Sequence, residues 1–411
     1  MNKTWQRVAW IVTITLFLVG LVGLYQRITL GHEVANYGSY IPWGLWVAAY
    51  IYFIGLSAGA FLLSTLVYVF RVQRLEKIGK LALFTALVTL VAAMFSIWLD
   101  LGRPERAWEL VLRTNFRSIM GWMIWFYLAY FILLLVELWF AMRVDLIACS
   151  DAPGIKGALC RLLTFGQRDV SPARLERDAR ILRVLGILGV PLAVAFHGGV
   201  GALFGVVGAR PYWHSGLTPI AFLAGALTSG GALLVFVTAL WGPNPGSEEH
   251  RDLVTFLGQI VAGLLAFDLL LEWAEYSIGL YSAIPAEVES LRLVLFGPYW
   301  WVFWIVHLLL GAVVPLLILV FRGRSVPLVA TAGALIAATF LSVRLNIVLP
   351  GLAVEEIYGL RNAFYGPGLT FEYFPSLAEW LFFLWTVALA ALLFLIGYSL
   401  LPIVRPTKEV A

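Results

Sequence analysis

The sequence predicts an all-α polytopic membrane protein with ten transmembrane helices, and three observations predict it. Of 411 residues, 61% are apolar and only 13% are charged, whereas a soluble domain carries roughly 25% charged residues. Mean hydropathy is +0.90. The apolar residues gather into ten runs with charges clustered between them, each near the roughly 20 residues that a bilayer-crossing helix needs. A water-soluble globule is excluded. The 17 tryptophans suit interfacial aromatic belts. Little chain remains for an extramembrane domain that could hold its own cofactors.

The runs lie at 8–25, 43–70, 81–99, 119–142, 181–207, 217–240, 253–280, 299–321, 327–349 and 377–402. The first follows Lys3 and Arg7 and has no small-residue cleavage site behind it, so it reads as an uncut helix rather than a secretory leader. The second carries 'LSAGAFLL' at 56–63, which returns as 'LTSGGALL' at 227–234 in the sixth, a shift of 171 residues. The same shift carries Asp100, closing the third run, to the neighbourhood of Glu272 in the seventh. Two four-helix bundles, spans 2–5 (43–207) and 6–9 (217–349), flanked by spans one (8–25) and ten (377–402) within a single integral domain 1–411, account for both matches. Chance and simple small-residue packing account for them equally well.

Nineteen of the 28 lysines and arginines fall on the side holding both termini, which places the termini in the cytoplasm. The largest inner loop, 143–180, contains 'RDVSPARLERDAR', readable as a basic helix at the lipid headgroups. Cys149 and Cys160 lie in it, without metal-like spacing, and are expected to be reduced and structural. The outer loops 31–44, 100–122, 208–216 and 350–376 mix aromatics, Gly, Pro and both charge signs. They read either as a docking face or as ordered helix caps.

Ionisable groups inside spans are costly and are functional candidates. Asp268, Glu272 and Glu275 stand at i, i+4 and i+7 on one face of span seven, covering about 10 Å of depth. They form either a proton path or an acid stripe neutralised by a neighbouring arginine such as Arg344. Glu137, near the inner end of span four, is within snorkelling reach of the interface, and Glu379 opens span ten. His197 in span five and His307 in span eight lie at similar depth, the arrangement that a bis-histidine b-type haem would use. Alternatively, His197 contacts a quinone oxygen and His307, amid 'YWWVFWIVHLLLG', is a packing histidine. At the outer end of span three, 'DLGRP' spaces Asp100 and Arg103 to pair across one helical turn. It serves either as a helix terminus or as a proton acceptor for a quinol.

'WLDLGRPERAW' followed by 'NFRSIMGWMIW' resembles the signature of the NrfD/PsrC family of quinone-interacting membrane anchors. 'PWGLWVAAYIYFIGLSAGAFLLS', 'PLAVAFHGGVGALFG' and 'FEYFPSLAEW' are similar to segments of its ten-helix, HybB/DsrP-like branch. Where that family has 'NP-S-MSWG', this chain runs Asn115, Phe116, Arg117, Ser118, Ile119, Met120, Gly121. The resemblance implies the membrane anchor subunit of a respiratory redox complex in a prokaryotic inner membrane. It implies an exchangeable menaquinone or ubiquinone near the periplasmic face. No haem, iron–sulfur cluster or metal is expected in this chain, and a periplasmic ferredoxin-like iron–sulfur subunit would link it to a catalytic subunit. Carried over by position, Asp100 and Arg103 match the span-three motif, His197 the histidine of span five, Glu275 with Tyr281 the acid–tyrosine pair of span seven, and Glu379 the acid of the last span. Tyr40 and Trp43 are expected to shape the quinone pocket with Arg103. Glu137, Asp268, Glu272, Glu275, Tyr281 and Glu379 are the candidates for proton transfer. A secondary transporter is the remaining class that the repeat and the buried acids suggest.

Overall fold

The computed structural model describes residues 3–70 and 72–404, and among these every regular element is helical. Ten helices are long and apolar enough to cross a membrane. They are Lys3–Leu30, Leu45–Tyr68, Gly79–Asp100, Ile119–Cys149, Pro172–Gly205, Thr218–Trp241, Glu248–Tyr281, Val302–Phe321, Val326–Ala353 and Leu377–Leu400. These are spans one to ten, one for each apolar run. The chain is a multi-pass integral membrane protein.

Span two is the axis of the assembly. In its most apolar stretch 89% of residues are buried, against 17% in span one. It packs on spans three, five, six, nine and ten. Lipid tails are as apolar as leucine, so close approach rather than water exclusion holds such helices together. A methyl group added at Gly59 would lie 1.9 Å from the Ala226 carbonyl oxygen, and one at Gly230 would lie 2.6 Å from the Gly59 Cα. The small residues of 'LSAGAFLL' and 'LTSGGALL' therefore meet each other at the centre. Span one lies along span ten at the periphery.

Span eight departs from the α-helix. Val302–Val313 is a π-helix, and α-geometry resumes over Val314–Phe321. The wide register runs up to Pro315, which has no N–H to donate to an i−4 carbonyl.

The end of the molecule with the short connections differs from the sequence reading in three respects. The basic segment 168–180 is no separate headgroup helix, because Pro172 starts span five and the helix continues unbroken to Gly205. The surface helix in this loop is Gly154–Leu163 instead. Trp139 donates to the Leu163 carbonyl (2.8 Å) and draws that helix back against span four, and Cys149 and Cys160, expected to be reduced, are joined there as a disulfide. Glu137 is not within snorkelling reach either. Span four runs on to Cys149, and the Glu137 side chain is fully buried, with no hydrogen-bond partner among the described residues.

Spans four and five are tied by a buried ion pair: Arg143 Nε donates to Asp178 Oδ2 at 2.5 Å and Arg143 Nη1 to the Asp169 carbonyl at 2.7 Å. Removing one partner strands the other charge. Asp178→Leu alone is expected to lower stability by roughly 3–5 kcal/mol, and Arg143→Met/Asp178→Leu to recover most of the loss, measured by denaturant titration in detergent.

Candidate functional site

At the loop-rich end, span three ends at Asp100 and the chain turns extended at Leu101. Arg103 therefore never completes a helical turn with Asp100. It is solvent-exposed, and no ion pair joins the two among the described residues. Arg27 of span one stands in that place. Its guanidinium donates to the Leu99 carbonyl (2.6 Å) and the Leu101 carbonyl (2.8 Å), bracketing Asp100, and lies 5.7 Å over the Trp46 ring. A chain of polar groups continues from it: Arg27 Nη2 to His32 Nε2 at 2.9 Å, and His32 Nδ1 to the Tyr37 hydroxyl. Burial, then the carboxylates of Asp100 and Glu379, push the Tyr37 phenol above its ordinary value. Arg27, His32 and Tyr37 were missed in the sequence, although a lone arginine closing an apolar run was a legible signal.

Glu379 closes the same cap. Its Oε1 accepts from the Tyr373 hydroxyl (2.5 Å), and its Oε2 from the backbone N–H groups of Asn36 (3.0 Å) and Ser376 (2.9 Å). Ser376 and Glu379 form a reciprocal capping box at the start of span ten. The Tyr373 phenol is held above its ordinary value by burial and by Glu379. One carboxylate thus joins loop 31–44 to loop 354–376. Tyr40 stacks on Phe371 of the latter loop (4.7 Å), and its buried hydroxyl has no partner among the described residues. Trp43 stacks on Trp213 at 5.8 Å.

His197 lies deeper. A methyl group added at Gly55 would lie 3.6 Å from its ring carbon. Gly55 is some two and a half turns along span two from the Trp46 layer, about 13 Å at 1.5 Å per residue. The structure therefore does not bring Asp100 and His197 together. His197 Nε2 donates to the Phe222 carbonyl (2.8 Å), while Nδ1 is buried without a partner among the described residues. Arg344 of span nine reaches the same carbonyl (3.5 Å), and its guanidinium lies 4.6 Å over the Phe222 ring and 5.2 Å over Phe340.

Spans six to nine enclose a small polar chamber of about 60 Å³, lined by Asp268, Glu272, Glu275, Tyr276, His307 and Arg344, among others. Its size admits a few waters. The acid stripe and the neutralising Arg344 therefore share one space. His307, on the π-turn, meets Glu272, with Nε2 to Oε2 at 2.8 Å, so His307 is hydrogen-bonded to a carboxyl group rather than packed only among apolar side chains. Tyr212 lines the chamber and donates to the Asn346 carbonyl (2.8 Å). Burial and then Glu275 raise its phenol above the ordinary value. Tyr281 lies outside the chamber, 91% exposed, and Tyr276 takes the place expected for it. The two span histidines each hold a different partner, and their helices pack against different neighbours, span five on four and six, span eight on nine. A larger cavity of about 680 Å³ lies between spans eight, nine and ten.

Ten apolar spans, of which six to nine enclose a buried cluster of acids, an imidazole and a guanidinium, define a polytopic membrane protein. The family described as 'Polysulphide reductase, NrfD' matches residues 33–355, and the chain belongs to that family. It is 40% identical over 400 residues to a selenate reductase subunit from Mesobacillus selenatarsenatis, covering 96% of this chain and 93% of the relative. It is 29% identical to the Hdr-like menaquinol oxidoreductase integral membrane subunit of Archaeoglobus fulgidus (97% and 94% covered). It is 24% identical to the menaquinone reductase integral membrane subunit of Nitratidesulfovibrio vulgaris (95% and 90%). The family match runs from just before span two to just after span nine, so the chamber lies inside it, and Arg27 and Glu379 lie outside.

Glu379→Leu would leave three donors unpaired and is expected to cost about 2–4 kcal/mol. Thermal unfolding in detergent would show the loss, with Glu379→Gln, which keeps an acceptor, intermediate.

Proposed function

We propose that this chain is the quinone-reactive membrane subunit of a respiratory oxidoreductase complex in a prokaryotic inner membrane. It exchanges electrons with a ferredoxin-like iron–sulfur subunit docked on the loop-rich, outer face, and through it with a catalytic subunit. The observation that carries the reading is the cap at the ends of spans one, three and ten, where Arg27 brackets Asp100 and is itself hydrogen-bonded to the His32–Tyr37 pair. Quinol oxidation releases two electrons and two protons, and quinone reduction takes them up. A site for it therefore needs a proton acceptor and hydrogen-bond donors close to the electron partner. Asp100 supplies the acceptor, and His32 and Tyr37 supply groups that can relay the proton. The menaquinol and menaquinone names of two relatives support the ligand class.

In this reading Tyr40 and Trp43 form the aromatic wall of the pocket, and the exposed Arg103 faces the docked partner. His197, bonded to the Phe222 carbonyl beside Arg344, acts as a deeper proton-exchanging group rather than as a second contact on the same ring. The chamber of Asp268, Glu272, Glu275 and His307 conducts protons across the outer half of the membrane, with Glu137 as a separate buried carboxyl on the first four-helix unit. Glu379 positions the cap, because three donors already occupy its oxygens.

The test is quinol oxidation or quinone reduction by the intact complex. Asp100→Asn is expected to slow turnover about a hundredfold, the scale of a lost general base, while assembly and the co-purifying iron–sulfur subunit are retained. Normal turnover in an assembled Asp100→Asn complex, or a chain that purifies with no iron–sulfur partner, would overturn the reading.

A further inference from the structure

The cavity between spans eight, nine and ten adjoins the cap, with which it shares Tyr373 and Phe371, but its space belongs neither to the cap's polar chain nor to the acid chamber. At about 680 Å³ it is far larger than a packing defect in an interior packed like an organic crystal, and it falls within the 300–1,000 Å³ typical of small-molecule sites. Its mouth is at the protein surface, since Trp301 and Phe374 on its rim are 40% and 60% exposed.

Its chemistry is specific. Tyr299, Phe371, Tyr373, Trp380 and Phe383 make much of the wall, a lining suited to a planar conjugated ring. The polar groups inside run along one side of span nine at Thr339, Ser342 and Asn346. The hydroxyls of Thr339 and Ser342 donate back to their own helix, to Leu335 (2.7 Å) and Thr339 (2.6 Å) carbonyls, and so offer only lone pairs. Asn346 is 4% exposed, and its amide nitrogen has no hydrogen-bond partner among the described residues. Buried amides without partners are rare because each costs about 1–3 kcal/mol. Charge is confined to the mouth, where Arg361 stacks over Phe371 at 5.6 Å and Glu372 is exposed. These features fit a neutral ring bearing carbonyl and hydroxyl oxygens, and do not fit a phosphate, which would demand cations at depth.

We propose that this cavity is a second quinone-binding site, in which Asn346 donates to a ring carbonyl and the aromatic wall covers the ring. The proposal rests on the quinone reading above and adds a second site, reached between spans eight, nine and ten rather than through the cap. Span nine separates the site from the acid chamber: Arg344, Val343 and Ile347 face the chamber, while Ser342, Leu345 and Asn346 face the cavity. A ring held there is about one helix diameter, some 10 Å, from the carboxylates.

The probe is a farnesylated azido-naphthoquinone, photolysed with the intact complex in phosphatidylethanolamine/phosphatidylglycerol nanodiscs, with labelled peptides read by mass spectrometry. Labelling is expected on peptides 338–353 and 371–383. It should fall about tenfold in Asn346→Leu, which conserves volume, and in Ser342→Phe, which fills the cavity, equivalent to about 1.4 kcal/mol. Labelling around Asp100 should be unchanged in both. Labelling around Asp100 alone, or labelling of 338–353 that both assembled variants leave intact, overturns this site and leaves the quinone reading standing. Labelling nowhere overturns both. A phospholipid that is retained by the wild type, is lost from Ser342→Phe, and excludes the probe also overturns it.

Discussion

The close approach of spans two and six is the constraint from which the rest of the architecture follows. Two backbones can touch only where side chains vanish, and Gly59, Ala226 and Gly230 provide that place. The contact fixes span two at the centre of the molecule. One helical turn above it lies the layer in which His197 and Arg344 converge on the Phe222 carbonyl beside Gly55 and Gly225. A methyl group at Gly225 would crowd the guanidinium at 3.1 Å, and one at Gly55 would rest in ordinary contact with it at 3.6 Å. Small residues therefore do two jobs along the same line, bringing helices together and leaving room for a charge among them.

The few charges in the spans are arranged by mutual need. A lone guanidinium or carboxylate in hydrocarbon is expensive, and the protein meets that cost by convergence from distant segments. Arg27 finds carbonyls of span three, Glu379 finds donors from both ends of the chain, Arg143 finds Asp178, and Arg344 shares a chamber with three acids. The result is a polar cap at the loop-rich end, a polar chamber in the second half of the chain, and a clamp between spans four and five at the opposite end from the cap.

Hydropathy is a property of the linear chain, so all ten spans and the acid face of span seven were legible from the sequence. Partnership was not. The Asp100–Arg103 spacing suggested a pair only on the premise that the helix continues, and the chain leaves the helix at Leu101. The true neighbour, Arg27, is some 70 residues away and carries no local mark of the connection. Glu137 looked peripheral because the polar residues after 142 masked a helix that runs on to Cys149. His307 looked like packing because a π-turn leaves no signature in residue spacing, yet on that turn it meets Glu272. The reduced state expected of Cys149 and Cys160 followed from compartment, and gave no view of the fold-back that joins them.

The joining of loop 31–44 to loop 354–376 bears on biogenesis. Asn36 leaves the ribosome 343 residues before Glu379, its carboxylate partner, and Arg27 precedes the Leu99 carbonyl by 72. During synthesis span one therefore enters the membrane with Arg27 unmet, and it finds part of its partnership only after span three has followed. The cap as a whole cannot close until the tenth span arrives. Span ten is thus the latch of span one, and a nascent chain arrested before residue 379 would hold the central helices without the carboxylate that joins the two loops.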